Sequence, residues 1–154
     1  MNKILYISII FLLVNPLLSN GQESKGIDKN LENISGQYAE CAAYYRLVYH
    51  AMNSSNEPET AKAYRELEDT AMFYSLLLAN EGRNKDLAVE VTNSRIEMYI
   101  KKMKEETNNR NENISILINK YHFGCQVAME NPSNDLTAIL KTKTKDENKQ
   151  SDAN

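Results

Sequence analysis

Residues 27–52 read IDKNLENISGQYAECAAYYRLVYHAM. Through this stretch Ile27, Leu31, Ile34, Tyr38, Cys41, Tyr45, Val48 and Met52 recur in steps of four and three. A helix turns by about 100° per residue, so these side chains share one face. A seam of this kind, held over about four heptads, predicts a long helix packed against others along its length. Gly36 lies within it, weakens it by about 1 kcal/mol relative to Ala, and marks a place for a kink.

Working toward the C-terminus, residues 53–56 make a turn. Asn56 is expected to be the N-cap of a second helix, with Pro58 in its first turn and Glu59 completing a capping box. The second seam is Thr60, Tyr64, Leu67, Ala71, Tyr74 and Leu78, closed by Gly82 as a C-terminal cap. Asn84 or Asp86 opens a third helix with Val89, Thr92, Ile96, Tyr99, Ile100 and Met103 on its seam. A fourth carries Ile114, Ile118, Tyr121, Cys125 and Ala128, and stops at Asn131-Pro132.

No Gly or Pro separates the third and fourth helices. Asn108, Asn109, Asn111 and Asn113 are poor helix-interior residues because their side chains compete for backbone hydrogen bonds, so a break is expected there. The break also makes the fourth helix antiparallel to the first and brings Cys125 level with Cys41. One continuous helix would carry Cys125 far outside the Cα separation of about 7 Å that a disulfide tolerates. The expected fold is therefore all-α. It is an antiparallel up-down-up-down four-helix bundle over residues 22–134, stapled by Cys41–Cys125. From Asp135 the chain turns rich in Lys, Asp, Glu and Asn, with no apolar residue between Lys141 and Asp152, and residues 135–154 read as a flexible polar tail.

Upstream of the bundle, Lys3 precedes an apolar run from Ile4 to Val14, followed by Pro16 and by small residues Ser19 and Gly21 at the −3 and −1 positions of a cut before Gln22. This is the pattern of a secretory signal peptide over residues 1–21. The run falls short of the roughly 20 apolar residues that a membrane span needs. No Cys adjoins it, which excludes a lipoprotein anchor. A secreted or periplasmic protein, without a stable membrane anchor after cleavage, is expected, and an even pair of cysteines in such a protein is expected to be bonded.

The 154-residue chain carries 18 basic and 21 acidic residues, a formal net charge of −3. That balance argues against nucleic acid as a partner. Of the two histidines, His50 lies nine residues after Cys41 and points away from the seam, while His122 sits one turn before Cys125. They face different directions, so no shared metal is expected. No Glu-x-x-His pair, no Cys-x-x-Cys-His and no G-x-S-x-G motif occurs. An enzyme is not expected, nor a cofactor. The alternative is a bundle that holds a small apolar ligand or a haem, with His122 as an axial ligand. Glu66, Glu68 and Asp69 read as a solvated face, as do Lys101, Lys102 and Lys104. Tyr38, Tyr45, Tyr64, Tyr74 and Tyr121 read as amphipathic core filling. Sequons at Asn33, Asn53 and Asn113 are no more numerous than so Asn-rich a chain produces by chance.

One feature exceeds the needs of a single bundle. Met72, Phe73 and Leu76, then Leu87, Val91 and Met98, then Ile116, Phe123 and Val127 are apolar and lie off their seams. Such a surplus marks an interaction surface unless local packing covers it, for which Leu136, Ile139 and Leu140 are available. Phe73, Leu76, Phe123 and Val127 are the expected contact residues for a protein partner or a second copy of the chain, at the disulfide end of the bundle. The reading is a non-catalytic exported binding protein.

Overall fold

The computed structural model describes residues 28–141. Helix α1 spans Lys29–Ser54, α2 Pro58–Ala79 and α3 Lys85–Glu106. A 3-10 turn at Asn111–Asn113 leads into α4, Ile114–Glu130, and a short helix α5 covers residues 134–141. The four long helices pack antiparallel, and Cys41 of α1 is bonded to Cys125 of α4 with Cα atoms 5.4 Å apart. The expected bundle and its staple are both present. Residues 1–27, and with them the expected signal peptide, lie outside the described residues.

The helix boundaries follow from local chemistry. Asp28 caps α1 by accepting from the backbone N–H of Asn30, and Asn84 caps α3 by accepting from that of Leu87. At the end of α1 the Asn56 N–H bonds Asn53 O and the Glu57 N–H bonds Met52 O, a Schellman closure around Asn56 at φ 61°. Asn56 is thus the left-handed residue that ends α1 and not the N-cap of α2. That position falls to Glu57, whose side chain makes no capping bond. The same closure ends α3: Asn108 N–H to Glu105 O and Asn109 N–H to Lys104 O, with both asparagines at positive φ. The asparagine-rich break between α3 and α4 therefore works by a left-handed backbone, which Asn tolerates better than other non-glycine residues. The Asn113 side chain then donates to Thr107 O at 2.9 Å and pins the turn.

Helix α1 is the hub. It packs most extensively on α2, then on α3 and α4, while α3 and α4 barely meet. Ala39, Cys41, Ala42, Ala43, Tyr44 and Tyr45 are all buried and Glu40 alone of this stretch reaches solvent, so this part of α1 is enclosed over most of its circumference and not along one seam. The alanines let neighbouring helices approach closely, and the tyrosines fill the space between them. Tyr44, Tyr45, Val48, Ala71, Ile96, Ile100, Met103, Leu117 and Tyr121 form the core around the disulfide. A second cluster joins Tyr38, Leu77 and Leu78 to Leu136 of α5, which is fully buried. Ser133 caps α5 by accepting from the Leu136 N–H. The polar tail expected from Asp135 thus starts inside a packed helix, and residues 142–154 lie outside the described residues.

Buried polar ties lock the helices in register. Ser35 Oγ donates to Ser75 O at 3.0 Å and Ser75 Oγ donates to Ser35 O at 2.9 Å, a reciprocal pair across α1 and α2. Glu32 of α1 accepts from Arg83 and from Arg95, and Arg95 also donates to Ser35 Oγ. Arg46 joins three helices, pairing with Glu68 of α2 at 2.6 Å and Glu97 of α3 at 3.2 Å.

Candidate partner surface

The α2–α3 face begins with the phase of α3. Its buried residues are Ala88, Thr92, Ile96, Ile100 and Met103, so Ala88 and not Val89 meets the core. Small Ala88 fits the closest approach, and the larger Val89 is turned about 100° outward, where it is 37% exposed. On α2 the buried set is Ala61, Glu68, Ala71, Ser75, Leu77, Leu78 and Ala79. Thr60, expected on the seam, is exposed, and Tyr64, Leu67 and Tyr74 are half-buried.

These two phases leave an open groove of about 260 Å³ between α2 and α3, lined by Asp69, Met72, Phe73, Leu76, Val89, Thr92 and Asn93. Phe73 is 48% exposed, with its ring against Tyr74 at 6.0 Å between centroids. Thr92 is only 2% exposed, and its Oγ1 has no hydrogen-bond partner among the described residues. Leaving such a buried hydroxyl unsatisfied costs about 1–3 kcal/mol, which sets it apart from the reciprocal serine pair on α1 and α2.

Of the residues singled out in the sequence, Phe73 and Leu76 come together in this groove. Phe123 and Val127 do not line it. They lie with Ile116 on the outer face of α4, where Phe123 is 77% exposed. Leu87 and Met98 of α3 are exposed as well, and Val91 is half-buried. Val89 and Thr92 are the wall residues that the sequence reading placed in the core. The stripe Ala88, Thr92, Ile96, Ile100 and Met103 is as regular as the one built on Val89. The two stripes share Thr92, Ile96, Ile100 and Met103 and differ in whether Ala88 or Val89 begins them.

The acidic group on α2 divides. Glu66 and Asp69 are exposed, but Glu68 is 1% exposed, held by Arg46 and by Arg65 at 3.1 Å. It is a structural ion and not part of a solvated face. Lys101, Lys102 and Lys104 are exposed, with Lys102 paired to Glu40 and lying over the rings of Tyr99 and Tyr121. Although burial opposes it, hydrogen bonds from Lys120 and Tyr121 hold the Glu106 carboxyl below its usual range.

Of the tyrosines read as core filling, Tyr38, Tyr45 and Tyr121 are buried and Tyr64 and Tyr74 half-buried, while Tyr44, which was not among them, is the most enclosed ring. Tyr44, Tyr45, Tyr64 and Tyr121 stack edge to tilt with centroids 5.1–6.4 Å apart. Burial pushes the Tyr45 phenol up to about 12, and raises Tyr44 through burial together with neighbouring Tyr64. Both stay protonated at neutral pH, so neither is poised as a base or nucleophile. His50 is exposed beside Tyr49, and the exposed His122 lies with Nδ1 3.3 Å from the Tyr44 hydroxyl. Among the described residues no group of three or more His, Cys, Asp or Glu is placed to hold a metal ion. No helix among them is long and apolar enough to cross a membrane.

Comparison with protein-family models, with curated proteins and with solved structures returned no match for this chain.

Proposed function

We propose that this chain is an exported, non-catalytic binding protein whose disulfide-stapled bundle presents apolar side chains to a polypeptide partner. The observation that carries the reading is the α2–α3 groove: an apolar cleft left open beside a core that is already filled by other residues. Fully burying a Phe, Leu or Val side chain is worth about 1.5–3 kcal/mol, and an interface would recover the share of it that these half-exposed residues still lack. The groove is smaller than the pockets of about 300–1,000 Å³ that enclose whole ligands. It suits one or two inserted side chains better than a flat macrocycle. Export is supported by the signal-peptide pattern at residues 1–21 and by the Cys41–Cys125 bond, which persists in oxidising compartments.

Native mass spectrometry of protein purified from its own source, alongside Phe73→Ser and Phe123→Ser variants, tests this. The expected result is a complex with a polypeptide, weakened by at least one of the two substitutions, while both variants melt within a few degrees of the parent. A protein that is monomeric and partner-free from its native source, or an enzyme activity in the purified chain, would refute the reading.

A further inference from the structure

The groove carries a pattern of charge as well as of apolar surface. On α3, Asp86, Glu90, Asn93 and Glu97 recur in steps of four, three and four, forming an exposed stripe beside Val89. On α2, exposed Glu66 and Asp69 share a face with Phe73. The cation nearest Asp69 is Arg65, and it is already paired with Glu68 and Asp69. Lys62 stands one turn before Glu66 and Lys85 adjoins Asp86, so the acidic stripes carry one lysine at each end of the groove. Glu97 at the rim is shared with Arg46. The cleft itself is lined by one carboxylate, Asp69, with Glu66, Asp86 and Glu90 exposed on the adjoining faces of α2 and α3, and a buried hydroxyl, Thr92, lacks a partner among the described residues.

We infer that the groove docks a basic amphipathic helical segment of a partner protein. This deepens the binding reading above and rests on it. Apolar side chains of the segment seat between Phe73, Leu76 and Val89, and its Lys and Arg residues run along the carboxylates of Glu66, Asp69, Asp86 and Glu90. From Asp69 to Leu76 the α2 wall rises about 10 Å, enough for two turns of an incoming helix at 1.5 Å per residue. Charge complementarity selects this occupant. A neutral apolar segment would leave the carboxylates unanswered. A second copy docking through Ile116, Phe123 and Val127 would bring Lys120, which is already paired with Glu106.

The test uses the full disulfide-bonded chain and three synthetic helical peptides: one of Leu and Lys at amphipathic spacing, its Leu/Glu counterpart, and a Ser/Lys version with equal charge and no apolar face. Isothermal titration at low and raised salt reads the affinities. The Leu/Lys peptide is expected to bind at least about tenfold more tightly than either control, the gain from burying one such side chain, and to weaken as salt screens the rims. Phe73→Ser with Val89→Ser is expected to cost about tenfold or more. Asp69→Lys with Glu90→Lys, a swap confined to exposed positions, is expected to shift preference to the Leu/Glu peptide. The inference is overturned if Leu/Lys and Leu/Glu bind alike, if Ser/Lys binds as well as Leu/Lys, or if the charge swap leaves the preference unchanged. It also falls if no peptide binds while a native complex still dissociates on Phe123→Ser, a result that leaves the binding reading standing. Absence of any native complex removes that reading instead.

Discussion

Gly36 shows how far a single position can be judged from its surroundings. It lies inside α1, which runs unbroken from Lys29 to Ser54, and a Cβ built there meets only the Tyr99 hydroxyl, at 3.8 Å. That is an ordinary contact, so nothing in the packing requires glycine. Gly36→Ala is expected to stabilise the protein by about 0.5–1 kcal/mol through lower chain entropy in the unfolded state, seen as a raised denaturant midpoint. A lowered midpoint would mean that the α1–α3 approach cannot admit even a methyl group. Glu68 is the opposite case: a buried carboxylate whose partners come from its own helix and from α1. Glu68→Gln removes the charge but keeps the shape, and should cost about 1–3 kcal/mol. The cost stays moderate because the side chain of Arg46 keeps 26% of its surface exposed and still reaches Glu97. Urea titration measures it, and a neutral result would show the pair to be replaceable. The spacing puts Glu68 at the edge of the α2 seam, four residues after Tyr64 and three before Ala71, but does not tell whether it is buried. That depends on where Arg46 of another helix arrives.

At the scale of the element, α5 is the instructive case. Residues 135–154 read as a polar tail on composition, yet Ser133 is a good N-cap and Leu136, Ile139 and Leu140 fall at helical spacing. The signal was present but short, and it was outweighed by the charged residues that follow. Leu136 packs with Tyr38, Leu77 and Leu78, and Asp135 accepts from the Asn30 side chain at 2.9 Å. Leu136→Ala should therefore cost about 2–4 kcal/mol, the range for a leucine removed from a packed core. A thermal melt showing no change would mean that α5 adds nothing to the bundle's stability. The α3–α4 connection shows the reverse: asparagines disfavour a helix interior, and the structure adds that Asn108 and Asn109 actively close the helix by going left-handed.

For the whole molecule, the disulfide is the long-range constraint. It links residues 84 apart in sequence and joins α1 to the helix with which it makes the least contact among its long neighbours. Closing a loop of that size is worth about 4–5 kcal/mol in the chain-entropy model. The double variant Cys41→Ala/Cys125→Ala, or reduction of the parent protein, is expected to lower stability by up to that amount. The denaturant midpoint with and without reductant checks it. Loss of less than about 1 kcal/mol would show that α4 is held by Leu117, Tyr121 and the Tyr38 bond to Ala128 O without needing the staple.

The heptad spacing of α1, the asparagine break and the two cysteines together determined the four long helices, their antiparallel order and the disulfide. These are legible because periodicity and chain reversal are local properties, and because a disulfide's narrow geometry turns two local assignments into a long-range one. The seams of α1 and α4 face the core as their spacing predicts, but the exact phase of α2 and α3 was decided only in three dimensions. The stretch Ala39 to Tyr45 reads as one seam plus small residues, but its burial at every position except Glu40 follows from three helices converging on α1. The same convergence chose Ala88 over Val89, buried Glu68, and spread the surplus apolar residues over the α2–α3 groove and the outward faces of α3 and α4. Single-helix patterns leave rotations of about one residue nearly equal in energy, and contacts with neighbouring helices choose among them.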